Sequence, residues 1–215
     1  MSIDKLQSQI RKLKNPSAVL FSLDRSQIPP CFLEAASGGT SAYCLYAKSL
    51  LEALKGVVPA VRFGFGSFAL QGAAGMDVLT QLLDLASKLG FYVLLETPDL
   101  LSAGDARLAA DAFFGEEGQW FFDGLLISSY IGSDAVKPFV EKMKDSDKDL
   151  FLAVRTGNKS APELQDLLTG SRLVYTAAAD MAKRLGEGFI GRCGYSRIAG
   201  MGPAVSADTL RSMRG

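Results

Sequence analysis

The 215-residue chain contains no histidine and only three cysteines. Without an imidazole, catalytic triads that use histidine and imidazole proton shuttles are excluded. Cys31, Cys44 and Cys193 are odd in number and share no Cys-x-x-Cys spacing. Neither a disulfide framework nor a zinc site is therefore indicated, and we expect no metal site.

The sequence also lacks an excess of charge and any long apolar run. Its 23 Lys and Arg residues balance 23 Asp and Glu residues, so there is no electrostatic footprint for a nucleic-acid backbone or an anionic membrane. The apolar stretches are far shorter than the roughly 20 residues that span a bilayer, and the polar, amphipathic segment 1–15 lacks the apolar centre of a signal peptide. We expect a cytoplasmic protein that binds neither nucleic acid nor membrane.

Apolar runs alternate with amphipathic segments along the whole chain. With 48% hydrophobic and 21% charged residues, the chain fits one large domain, which we place at residues 1–215. Strand-like runs lie at 18–24, 60–65, 92–96, 124–128, 150–154 and 198–201. Helical patterns lie at 1–15, 41–55, 75–89, 106–114, 133–144 and 173–185, and from 206 onwards, with Pro138 near the first turn of its helix. Strand followed by helix, six times over, favours a parallel sheet with crossover helices.

Such a sheet is either doubly wound or closed into a barrel. No Gly-x-Gly-x-x-Gly turn or Gly-Lys-Ser/Thr loop follows any predicted strand, so the sequence has no phosphate-binding motif to support a Rossmann or P-loop fold. A barrel gathers its active site from the carboxyl ends of all its strands, and polar residues end several of these strands: Asp24, Arg62, Glu96, Ser128 and Thr156. We therefore predict an α/β fold of the (β/α)8 TIM-barrel type.

About six βα units are visible in this sequence, whereas a complete barrel typically needs about 250 residues. We expect the last two strand units to be absent and the barrel to be incomplete at its C-terminus. Either a partner supplies the missing part, or the chain belongs to a longer product.

Two segments carry a family resemblance, 125–139 with its Tyr-Ile-Gly-Ser-Asp and 151–166 with its Arg-Thr-Gly-Asn-Lys-Ser-Ala. Both resemble orotidine 5'-phosphate decarboxylases of the bacterial long form. Support comes from Ser-Leu-Asp-Arg at 22–25, Val-Pro-Ala-Val-Arg at 58–62 and Gly-Tyr-Ser at 194–196. The likeness runs through nearly the whole chain.

The resemblance implies a cofactor-free barrel, usually a homodimer, that converts orotidine 5'-phosphate to uridine 5'-phosphate (UMP) in pyrimidine biosynthesis. The expected partner is thus a small-molecule nucleotide. The chemistry of the family rests on an array of two lysines and two aspartates. Such an array holds the substrate carboxylate against an aspartate, while a lysine ammonium stabilises the developing carbanion and protonates it.

Position by position, this array is altered. Arg62 stands at the strand-two lysine, Glu96 at the first strand-three carboxylate, Pro98 at the central lysine and Leu101 at the second aspartate. Arginine supplies charge but no proton, and proline supplies neither, so we predict severely impaired decarboxylation. Arg62 and Glu96 are the candidate catalytic positions; alternatively, they form a buried ion pair kept by packing.

The resemblance also implies substrate-binding residues. Asp24 would bind a ribose hydroxyl, Ser128 would contact substrate, and Thr156, Asn158 and Ser160 would form a pyrimidine-contacting loop. The alternative is structural, because Asp, Thr, Asn and Ser are ordinary turn and cap formers.

Several functions stay open at this point. The first is an orotidine 5'-phosphate decarboxylase-like barrel, in which a shifted register would let Asp99 or Asp105 act with Lys48 or Lys159. The second is a non-catalytic nucleotide-binding or assembly pseudoenzyme on the same scaffold. The third is another sugar-phosphate lyase or epimerase, with Glu96 as general base.

Overall fold

Alternating strands and helices build this protein, whose computed structural model describes residues 1–97, 102–115, 118–203 and 207–214. The strands are β1 (Ala18–Phe21), β2 (Ala60–Gly64), β3 (Tyr92–Glu96), β4 (Gly124–Ser128), β5 (Asp149–Ala153), β6 (Leu168–Thr169), β7 (Arg172–Leu173) and β8 (Ile198–Met201). The helices are α1 (Ser2–Leu13), α2 (Pro30–Glu34), α3 (Gly39–Leu54), α4 (Phe65–Ala69), α5 (Gly72–Lys88), α6 (Ala106–Phe114), α7 (Ser133–Lys142), α8 (Pro162–Gln165), α9 (Val174–Gly186) and α10 (Ala207–Arg214). Short 3-10 turns occupy Arg25–Gln27 and Met143–Asp145.

The strands confirm the predicted α/β class. Six of them form a parallel sheet in the order β1-β2-β3-β4-β5-β8, and β6 and β7 pair separately as an antiparallel hairpin. In β3 and β4 only the last residue escapes full burial. Both strands read as unbroken apolar runs because a parallel strand covered on both faces is buried throughout.

The first strand differs from its prediction as a buried strand reaching residue 24. It ends at Phe21, and the only buried residue in it is Phe21. Leu20 is 49% exposed, because β1 is the first strand in the sheet order and, among the described strands, pairs only with β2. Beyond it the backbone turns, and the N–H of Asp24 donates to the Ser22 carbonyl at 2.9 Å.

Pro138 also differs from its prediction. Because α7 begins at Ser133, the proline is its sixth residue and lies inside the helix. There it removes one backbone hydrogen bond from the helical ladder, unlike a proline in the first turn. Four short elements escaped prediction, since they span too few residues to show a period: α2, α4, α8 and the β6–β7 hairpin.

The chain divides into two compact units. The first unit comprises residues 2–97 and 119–125, and the second comprises residue 1, 98–118 and 126–215. The prediction of a single domain stays a prediction. No helix in the described ranges is long and apolar enough to cross a membrane.

Aromatic rings and a close helix approach hold the first unit together. Phe63 stacks on Phe21 with 5.1 Å between ring centroids, and Phe68 meets the edge of Tyr43 at 5.8 Å. A Cβ added to Gly75 would lie 2.1 Å from the Phe68 carbonyl oxygen. Only glycine fits there, because α5 runs directly against the end of α4.

A buried ion pair braces the second unit. Asp149, the first residue of β5, is fully buried, and Arg197, just before β8, is 7% exposed. The Arg197 Nε lies 3.4 Å from Asp149 Oδ1. The same guanidinium donates to the carbonyls of Met143, Ser146 and Lys148 at 3.4, 2.5 and 2.7 Å. One side chain thus joins the amino ends of β5 and β8 to the turn between α7 and β5.

Candidate functional site

The first unit brings Arg62 and Glu96 together. In the parallel pairing of β2 with β3, Arg62 lies opposite Leu94, and Glu96 follows two residues later on the same strand. Residues two apart share one face of a strand, so the two charged side chains are diagonal neighbours. Arg62 Nε donates to Glu96 Oε1 in a charge-assisted hydrogen bond.

This pair is partly screened from water. The Arg62 side chain is 33% exposed and that of Glu96 is 12% exposed. The carboxylate of Glu96 therefore faces the Arg62 guanidinium in a partly buried setting. Both interpretations of the pair, as candidate catalytic groups and as an ion pair kept by packing, stay predictions.

Asp24 caps the turn that follows β1. Its carboxylate accepts from the Ser26 N–H at 2.9 Å, from the Ser26 hydroxyl at 2.7 Å and from the Gln27 amide at 3.2 Å. The Ser26 hydroxyl, followed by the Ser26 N–H, holds the pKa of the Asp24 carboxyl below its ordinary value. The structural alternative is thus realised, and a role in binding ribose stays a prediction.

Ser128 shapes the turn after β4 in the second unit. Its hydroxyl oxygen accepts from the Tyr130 N–H at 3.3 Å. The next two residues reach β5 and its end, where the Ser129 hydroxyl donates to the Ala153 carbonyl at 2.6 Å and the Tyr130 hydroxyl donates to the Val154 carbonyl. Burial raises the pKa of Tyr130 above its ordinary value. Tyr130 was not among the predicted site residues, although it begins the Tyr-Ile-Gly-Ser-Asp motif and lies two residues after β4.

The loop after β5 holds the most connected polar group among the predicted site residues. The Thr156 N–H donates to Gln165 Oε1 at 2.8 Å, and Gln165 Nε2 donates back to the Thr156 hydroxyl at 2.7 Å. That hydroxyl donates to Asn158 Oδ1 at 2.6 Å. Ser160 takes no part with its side chain, but its carbonyl accepts from the Glu163 N–H at 3.1 Å at the start of α8. Of the predicted residues of this loop, the structure therefore connects Thr156 to Asn158 by a hydrogen bond. It adds Gln165, which was not predicted as a site residue.

A two-pronged ion pair anchors this loop. Arg155 Nε and Nη2 donate to the two oxygens of Asp166 at 2.9 and 3.0 Å. The Arg155 guanidinium also lies 5.8 Å from the ring centre of Tyr175. The hydrogen bond between the two charged groups lowers the pKa of the Asp166 carboxyl and raises that of Arg155. Flat, paired recognition of this kind fixes orientation as well as distance.

The remaining candidates are dispersed or lie outside the described residues. Pro98, Asp99 and Leu101 fall in the latter group. Lys48 donates to Gln81 at 2.8 Å, and Asp105 accepts from the Ser102 hydroxyl at 2.6 Å. Within the described ranges, no cluster of three or more His, Cys, Asp or Glu side chains could hold a metal ion.

Comparison with known proteins gives one consistent result. No protein-family model matches the chain. An orotidine 5'-phosphate decarboxylase of Clostridium novyi (strain NT) is 27% identical over 213 residues, which cover 99% of this chain and 73% of the relative. The enzyme of the same name from Rhodopirellula baltica is 27% identical over 178 residues, covering 81% of this chain and 59% of the relative.

Solved structures agree in fold. The Leishmania donovani OMP decarboxylase matches with a TM-score of 0.73 and 22% identity, covering 99% of this chain and 74% of that one. A Toxoplasma gondii chain assigned provisionally as an orotidine-monophosphate-decarboxylase gives 0.79 at 18% identity, covering 98% and 74%. The predicted barrel-type fold is thereby confirmed. The chain is therefore similar, over nearly its whole length, to orotidine 5'-phosphate decarboxylases in sequence and to their TIM barrels in fold.

Proposed function

We propose that this chain is an orotidine 5'-phosphate decarboxylase-like protein that binds orotidine 5'-phosphate or its product UMP, and that its decarboxylation is severely reduced. The similarity to the named relatives supports the ligand class. The single observation that carries the proposal is the anchored polar loop after β5, at the place of the pyrimidine-contacting loop in the family. A single domain, a homodimer and a cytoplasmic location belong to the same proposal.

The loop suits a nucleobase because its polar groups are already ordered. Thr156 and Asn158 are exposed, yet each is fixed by a hydrogen bond within the loop. The Arg155–Asp166 pair holds the segment at both ends. Groups fixed before binding lose little freedom when a ligand arrives, so each hydrogen bond to the ligand contributes more to affinity.

The expected loss of activity follows because the Arg62–Glu96 pair contains no group that can donate a proton to the substrate. Decarboxylation breaks the bond between the pyrimidine ring and its carboxylate, releases carbon dioxide and leaves an electron pair on the ring carbon, which must then take a proton. Arg62 is the cation of the described pair, and a guanidinium does not give up a proton near neutral pH. Its charge also faces Glu96. Such a pair offers electrostatic contact but no proton donor.

Nucleotide binding tests the proposal first. Calorimetric titration with UMP should give a saturable signal, and Asn158→Ala should weaken binding roughly three- to tenfold, the effect of one or two lost hydrogen bonds. Asn15→Ala is the matched control, because it makes the same change at the other asparagine of the chain, whose side chain bonds to Val57 and Ser17. If UMP does not bind, or if both variants weaken it equally, the proposal is wrong.

Turnover tests the catalytic half. The absorbance of orotidine 5'-phosphate should stay constant at high protein concentration, because the uncatalysed reaction is extremely slow on any laboratory timescale. Decarboxylation that disappears in Arg62→Ala would show that the pair is catalytic and that our expectation of impaired activity is wrong. UMP binding without turnover would support a nucleotide-binding pseudoenzyme.

A further inference from the structure

Gln165 lies nine positions after Thr156 in sequence, yet its side-chain amide contacts Thr156 twice. The contacts are 2.8 Å to the backbone N–H and 2.7 Å to the side-chain hydroxyl. The adjacent Arg155–Asp166 pair keeps α8 beside the end of β5 and so keeps the amide in place. Gln165 is half-buried, whereas Thr156 and Asn158 are exposed.

The orientation of the Gln165 amide follows from elementary donor and acceptor chemistry. A backbone N–H can only donate, so the Gln165 atom facing the Thr156 N–H must be the amide oxygen. The other end of the same amide is then the NH2 group, which donates to the Thr156 hydroxyl. That hydroxyl in turn donates its single hydrogen to Oδ1 of Asn158, 2.6 Å away.

The oxygen and the NH2 group of the Asn158 amide are used differently. Its oxygen is engaged by Thr156, while within the described ranges its NH2 group donates to no protein acceptor. An amide oxygen accepts up to two hydrogen bonds, and Thr156 already takes one of them, whereas both N–H groups remain to donate. What the Asn158 amide offers a ligand is therefore chiefly a pair of N–H donors.

We propose that Gln165 is a positioning residue: acting through Thr156, it holds the Asn158 amide with its NH2 group available, so that the loop selects a ligand carbonyl over a ligand amino group. This inference rests on the proposed function, since it assumes that the loop meets a pyrimidine base. Uracil and cytosine differ in the required way, because the ring position that carries a carbonyl in uracil carries an amino group in cytosine. A fixed donor opposite that position favours uracil and leaves the cytosine amino group facing another donor.

Gln165→Glu tests the mechanism because it reverses the direction of the hydrogen bonds that link residue 165 through the Thr156 hydroxyl to Asn158. One carboxylate oxygen still accepts from the Thr156 N–H, but the second oxygen accepts where the NH2 group had donated. The Thr156 hydroxyl then donates to Glu, and the Asn158 amide rotates to donate to that hydroxyl. The amide oxygen of Asn158 becomes available to the ligand instead.

The readout is the ratio of two affinities, measured by calorimetry with UMP and with cytidine 5'-monophosphate. Gln165→Glu should lower the preference for UMP roughly three- to tenfold, the usual effect of exchanging one hydrogen-bond polarity. The control for added charge is Leu164→Glu, at a side chain on α8 that is 71% exposed. It should weaken both nucleotides alike and leave the ratio unchanged. An unchanged ratio in Gln165→Glu, with UMP still bound, would overturn the inference.

A second measurement needs no nucleotide. Hydrogen exchange at the Thr156 amide should accelerate in Gln165→Met, which removes the accepting oxygen, and should stay slow in Gln165→Glu, which keeps it. Equal exchange in all three proteins would refute the positioning role. Failure of the unaltered chain to bind UMP would refute the proposed function and the base selection with it, while the exchange rates would still decide what Gln165 does.

Discussion

Replacing Arg197 by methionine should be the most destabilising of the charge deletions in this chain. Methionine is close in length to the arginine stem but removes the guanidinium from Asp149, which is fully buried, and from three backbone carbonyls. Deleting one partner of a buried ion pair typically costs about 3–5 kcal/mol, since the remaining charge stays in a poor solvent. At about 2–4 °C per kcal/mol for a chain of this size, the melting temperature should fall by roughly 6–20 °C.

Urea unfolding followed by circular dichroism measures this loss. Trp120 is the single tryptophan and lies in the first unit, so its fluorescence tests in parallel whether that unit is affected. Arg211→Met is the matched control, because Arg211 pairs with Asp208 on α10 and the two side chains are 77% and 89% exposed. Such a pair contributes little, and we expect less than about 0.5 kcal/mol. If Arg197→Met costs no more than this control, the reasoning about burial is wrong.

Three further outcomes are expected. Gly75→Ala should destabilise the first unit by about 1–3 kcal/mol in urea unfolding, because its Cβ would meet a carbonyl oxygen at 2.1 Å, whereas Gly104→Ala, with nothing within 4 Å, should be near neutral. Ser26→Ala should raise the pKa of the Asp24 carboxyl in an NMR titration. Because folding lowers that pKa, the cap stabilises the folded state at pH values above the unfolded pKa. This stabilisation is lost as pH falls through the folded pKa. Tyr130 should ionise above the ordinary tyrosine range in an ultraviolet titration, because burial raises its pKa; its contribution to stability is then present at neutral pH and lost as pH rises through that value.

The parts of the fold that could be predicted are those where one local signal dominates. β3, β4, α6 and β8 have the predicted bounds, because an unbroken apolar run or a regular amphipathic period defines each of them. The sequence also places Arg62 and Glu96 on neighbouring strands, but only Glu96 ends its strand. Arg62 is the third residue of β2, opposite Leu94, and the two side chains meet because Glu96 follows two residues after Leu94.

Other features depend on tertiary contacts that no local pattern encodes. Nothing in the nine-residue separation of Thr156 and Gln165 predicts two hydrogen bonds between them; the short helix α8 creates the contact. Asp24 ends an apolar run in sequence but caps a 3-10 turn in space, because the edge strand before it stops at Phe21. Pro138 was expected near the first turn although the predicted helix begins at residue 133, as α7 does; counted from Ser133 it is the sixth residue and lies inside the helix.

The diagonal placement of Arg62 and Glu96 defines two positions at which protein engineering can bring a chosen pair of side chains together. Strand register, set by backbone hydrogen bonds, decides that side chains at 62 and 96 meet, whatever their chemistry. A lysine at position 62 and an aspartate at position 96 would be aligned in the same way. Both side chains are shorter than those they replace, and the lysine ammonium, unlike a guanidinium, could donate a proton. Redesign of the charge array could therefore begin at these two positions without moving the scaffold.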